Sequence, residues 1–137
     1  MFDLSNYALN PHAIPIVIIG IASLGFGLLA YSSNRAAAAN RHFLILCLSI
    51  SAWLLATGAG LSSRDPALAL RWFKLDNFGV MYISVAFYAF SVEFLGLRRP
   101  RSIRLGYAAA SALAATVLLS DGFVTGVQEY WWGRYPR

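Results

Sequence analysis

From Ala13 to Tyr31 the chain reads AIPIVIIGIASLGFGLLAY, without one charged side chain. An α-helix of roughly 18 to 20 apolar residues crosses the hydrocarbon core of a bilayer. In lipid, where no water can satisfy the backbone, a helix is one of only two structures that pair every N–H and C=O internally. Two further runs have the same character: HFLILCLSISAWLLATGAGL, His42 to Leu61, and IRLGYAAASALAATVLLS, Ile103 to Ser120. Arg104 lies close enough to the end of the latter for its charge to reach the interface. Composition agrees, since 58% hydrophobic and 12% charged residues, with a mean hydropathy of +0.59, leave too little polar surface to cover a soluble core.

One more span is less clean. DPALALRWFKLDNFGVMYISVAFYAFSVEFL opens with Asp65 as an N-cap and Pro66 at the first helical position, but carries Arg71, Lys74 and Asp76 early. Its membrane part is expected from Asn77 to Leu95. A continuous helix from Pro66 would be about 45 Å long, longer than a core of about 30 Å, so its first turns should stand out of the bilayer or bend along it. The expected class is therefore all-α: an integral membrane protein with spans near 13–31, 42–61, 77–95 and 103–120 and an aromatic tail over 121–137.

The first run could be mistaken for a cleaved leader, because Ala36 to Ala39 follow it. Yet the preceding MFDLSNYALNPH has no Lys or Arg and contains Asp3, and the run is long for a leader, so it reads as a retained helix. Orientation follows from the loops. Arg35 and Arg41 lie in the first connection and Arg98, Arg99, Arg101 and Arg104 in the third, with no acid in either. The second mixes Arg64, Arg71 and Lys74 with Asp65 and Asp76. Basic residues favour the cytoplasmic side, which puts loops one and three inside, by six basic residues to five. Both termini then lie on the outer, periplasmic side of a bacterial inner membrane, with Tyr130, Trp131, Trp132 and Tyr135 as interface anchors. The net charge of +5 is spread in short clusters between apolar runs, a pattern of membrane orientation rather than nucleic-acid binding.

Few residues could carry chemistry. Cys47 is the single cysteine and sits in an apolar run, so it forms no internal disulfide or cysteine metal cluster. His12 and His42 are separated by a membrane crossing and cannot share a haem iron. No cofactor or metal is expected, nor a catalytic site, since no phosphate loop, nucleophile pair or carboxylate pair appears. Glu93 is an acid inside an apolar run. Its simplest reading is a carboxylate reaching Arg98 and Arg99; the functional alternative is a polar cavity shared with Tyr82, Ala86 and Ala89 on one helix face. Asn77, Ser84, Tyr88 and Ser91 form a second polar stripe, so the third span should face protein on more than one side. Small residues recur every four positions at Ala52, Ala56 and Gly60 and at Gly106, Ala110 and Ala114. Such ladders let helix backbones approach in lipid. The expected partners are therefore the bilayer and other transmembrane helices or subunits.

From Asn40 to Gly96 the chain resembles the N-terminal seven-helix sensor region of bacterial histidine kinases and some diguanylate cyclases. The residues that carry the likeness are Asn40, Phe43 and Trp53, then Pro66, Ala69, Trp72 and Leu75, then Phe90 and Gly96. SDGFVTGVQEYWWGRY resembles the outer segment after the fourth helix through Gly126, Val127, Trp132 and Gly133. The resemblance implies a membrane sensor or input module, followed in the family by three more helices and a cytoplasmic signalling domain. On this reading the chain is a four-helix portion of such a module, ending where the next helix would re-enter the membrane. An accessory subunit of a larger membrane complex is the alternative. A transporter working through Glu93 is less well supported, for lack of broken, Gly/Pro-interrupted helices.

Overall fold

The computed structural model describes residues 4–120, 126–131 and 133–136. Four helices account for most of them: α1 (Ala13–Ser33), α2 (Ala38–Ser62), α3 (Pro66–Phe94) and α4 (Pro100–Leu119). All four are long and apolar enough to cross a membrane. A short hairpin of β1 (Val127–Tyr130) and β2 (Gly133–Pro136) follows, antiparallel, with Val127 opposite Pro136 and Tyr130 opposite Gly133. Sequence reading treats this stretch only as a tail. Trp132 lies outside the described residues, as does the side chain of Tyr135.

Local chemistry sets the helix ends. At the α1–α2 turn the Asn34 side-chain oxygen accepts from the Ala36 and Ala37 N–H groups at 3.1 and 3.2 Å. The Asn40 amide reaches back from the first turn of α2 to the Ala30 carbonyl at 2.8 Å and the Asn34 carbonyl at 3.2 Å. It thereby satisfies carbonyls that the end of α1 would otherwise leave open. Asp65 caps α3, accepting from the Ala67 N–H at 3.0 Å, with Pro66 following as the first helical residue. α3 runs unbroken for 29 residues, about 44 Å. It stops in a Schellman turn: the Gly96 N–H donates to Glu93 and the Leu97 N–H to Val92, with Gly96 at φ 68°, which a side chain would disfavour.

The helices form an open row rather than a closed bundle. α1 packs on α2, α2 on α3 and α3 on α4, and among the described residues the backbones of α1 and α4 each approach one helix only. Ile18, Ile19, Phe26 and Leu29 of α1 are exposed, as are Leu105 and Leu113 of α4. These apolar faces belong in lipid or against protein. Near the start of α1 Ala13, Leu61, Ala69 and Phe73 make one buried cluster, joined by Ile16 and Val127; Ala89, Val92 and Ile103 make another toward the α3–α4 turn.

Candidate functional site

The end of the row nearest the hairpin is covered by two segments outside the four helices. Residues before α1 pair with the α2–α3 turn: the Ala8 N–H donates to Ser62 at 2.8 Å, the Arg64 N–H to Asn6 at 2.9 Å, and the Asn10 amide to the Leu61 carbonyl at 3.0 Å. The Trp72 indole of α3 donates to the Tyr7 hydroxyl at 2.8 Å. The hairpin lies against α2 and α3 from the other direction. Between the two covers opens a groove of about 580 Å³ lined by Asn10, His12, Arg64, Glu129, Tyr130 and Trp131 among others. The His12 ring meets Trp131 edge to face, with centroids 5.7 Å apart. The groove thus offers aromatic walls together with Arg64 and Glu129, one charged group of each sign.

Inside the row the polar groups are paired across helices. Asp76 of α3 is buried, with 9% of its surface exposed. The Thr57 hydroxyl of α2 lies 3.1 Å from its Oδ2 and 2.9 Å from the Trp53 carbonyl, and shares one proton between them. The Asn77 amide donates to the other Asp76 oxygen at 3.2 Å. Toward the α3–α4 turn His42 of α2 stacks on Tyr107 of α4, centroids 6.0 Å apart, with Nδ1 3.2 Å from the hydroxyl. Tyr82 joins α3 to α4 through the Ser111 hydroxyl at 2.7 Å. Among the described residues no group of three or more His, Cys, Asp or Glu could hold a metal. His12 and His42 stand at opposite ends of α1.

Residues 15–133 match the family described as the N-terminal 7TM region of histidine kinase. The chain belongs to that family. No curated protein and no solved structure matches it. The match runs from the first turn of α1 to the first residue of β2, so the hairpin's first strand belongs to the shared region. The histidine-kinase 7TM region is a membrane sensor and signal-transduction module, and the four span-like helices make this a multi-pass membrane chain in contact with the bilayer.

In this histidine-kinase 7TM region the residues that carry the resemblance have identifiable structural roles. Asn40 closes α1, Phe43 meets the Phe90 ring at 5.3 Å, Ala69 is fully buried and Trp72 holds Tyr7. Of the two small-residue ladders, Ala56, Gly60, Ala110 and Ala114 are buried and Gly106 is half-buried. A Cβ on Gly60 would lie 2.8 Å from the Phe73 ring, and one already on Gly106 would lie 2.6 Å from Val85. Ala52 differs: it is exposed and lines a small apolar hollow with Ile45, Leu48 and Phe78. Each four-residue step advances about 40° around the axis, which puts Ala52 about 80° from Gly60 on α2. Tyr130 and Trp131 lie at the outer groove. Ala86 and Ala89 are buried beside half-buried Glu93.

Sequence reasoning missed three features. Among the described acids Asp76 is buried and Glu93 only half-buried; in the sequence Asp76 stands two residues from Lys74, among the charges that precede the apolar run. At Gly79 the backbones of α3 and α2 come close, and a Cβ there would lie 2.6 Å from the Ser49 carbonyl oxygen. Tyr107 gave no signal, since a tyrosine in an apolar run is ordinary and its partner His42 is 65 residues away.

Proposed function

We propose that these four helices serve as a membrane sensor or input module of histidine-kinase type. Its work is contact and conformational bias, not catalysis. The observation that carries this reading is the family match over residues 15–133. Loops one and three face the cytoplasm and both termini the periplasm, in a bacterial inner membrane, as the arginine distribution favours. A signal reaching the outer groove bears on the strap before α1 and on the hairpin, both of which lean on α2 and α3. A ligand that prefers one arrangement of these covers would shift α2 relative to α3, and the His42–Tyr107 pair would pass that shift to α4.

The alternative is an accessory subunit of a larger membrane complex. It is favoured by the exposed apolar faces of α1 and α4, each packed on one helix. Mass spectrometry of what a tagged chain carries from its native membrane in mild detergent separates the two. A histidine kinase, covalently continuous or associated, is the expected result. A set of membrane subunits with no kinase would overturn the sensor reading in favour of the subunit.

A further inference from the structure

The turn from α3 into α4 gathers Arg98, Arg99, Arg101 and Arg104 within seven residues, and all four are exposed. Of the described acids, Asp65 caps α3 at its far end, Glu129 lines the groove by the hairpin and Asp76 is held by Thr57, which leaves Glu93 as the one described acid at this end of α3. Arg98 to Ser102 enclose a hollow of about 360 Å³. Its frame is fixed on both sides. The Schellman turn at Gly96 sets the entry, and the Ser102 hydroxyl donates to the Arg99 carbonyl at 2.9 Å while accepting from Tyr88 of α3 at 2.9 Å. Beside this basic rim lies an apolar skirt, with Phe94 72%, Leu95 68%, Leu97 49% and Leu105 70% exposed.

We propose that this turn binds an anionic phospholipid, its phosphate held by the arginines and its acyl chains lying along Phe94, Leu95 and Leu105. Guanidinium groups match phosphate oxygens in pairs, and basic pockets at the ends of transmembrane helices take anionic headgroups. A preformed turn loses little freedom on binding. Free phosphate would use the rim but leave the skirt unmatched, which points to a lipid. The proposal is independent of the sensor reading and of which leaflet the turn faces.

The test is the full 137-residue chain in phosphatidylcholine vesicles carrying trace spin-labelled phosphatidylglycerol or spin-labelled phosphatidylcholine. The motionally restricted fraction gives the relative affinity. The chain should prefer phosphatidylglycerol by on the order of tenfold, and excess inorganic phosphate should not abolish that preference. Arg99→Gln with Arg101→Gln should remove most of it, while Arg99→Lys with Arg101→Lys keeps a large part. Arg35→Gln with Arg41→Gln should change little, since those charges are spread and Arg35 sits over the Tyr31 ring at 5.9 Å. No preference in the unaltered chain, loss to free phosphate, or equal loss in the two glutamine pairs would each overturn the proposal.

Discussion

A methyl group added to Gly79 would be driven into backbone, 2.6 Å from the Ser49 carbonyl oxygen and 2.7 Å from the Trp53 nitrogen. Backbone cannot rotate aside as a side-chain tip can, so α2 and α3 must separate to admit it. Gly79→Ala should cost about 1–3 kcal/mol, the usual range for overpacking. Gly25, by contrast, meets nothing within 4 Å, and Gly25→Ala should be neutral or raise stability by up to about 1 kcal/mol through helix propensity. Thermal unfolding in detergent, followed by circular dichroism, compares the two; equal midpoints would mean the helices yield at Gly79. Asp76 makes a second residue-scale case. Thr57→Val removes its hydroxyl partner without changing shape, and should lose roughly 0.6 kcal/mol, at most about 1.7, as interhelical hydrogen bonds in membranes do. The same melts would detect it, and an unchanged midpoint would leave the Asn77 amide as the partner that matters.

At the scale of elements, α4 is joined to the row through small residues, with Ala110 5% and Ala114 2% exposed, whereas Leu119 at its end is 88% exposed. Gly106→Leu or Ala110→Leu should therefore part α4 from α3 and lower recovery of cross-linked helix pairs or of native partners, leaving insertion intact. Leu118→Ala or Leu119→Ala should do much less. Equal recovery of all four variants would reduce the ladder to alanine content. The ladder is legible in the sequence because a spacing of four is a local pattern, as is the start of α3, where Asp65 and Pro66 state the cap outright. The hairpin is not legible, since strands of four residues in an aromatic stretch resemble interface anchors. Nor are the pairs that tie helices together: Trp72 with Tyr7 and His42 with Tyr107 are each 65 residues apart, and periodicity carries no information at that distance.

For the whole molecule the open question is direction, and the arginine count leans one way by a single residue. Pro100→Cys and Arg134→Cys place one thiol at each end of the row, while the native Cys47 is 5% exposed and should stay silent. An impermeant thiol reagent on intact cells should label position 134 and spare position 100; the opposite pattern would reverse the topology. The row also sets an order of events. Chains assemble from the N-terminus as they are made, and here each helix meets chiefly the one synthesised just before it. α2 can settle on α1, and α3 on α2, without waiting for a distant segment. Two contacts break this sequence: His42 waits for Tyr107 of α4, and Tyr7 cannot take the Trp72 indole until α3 has emerged. The residues before α1 are thus among the late ones to find their place, and the groove beside them comes into being only once the helices beneath it are built.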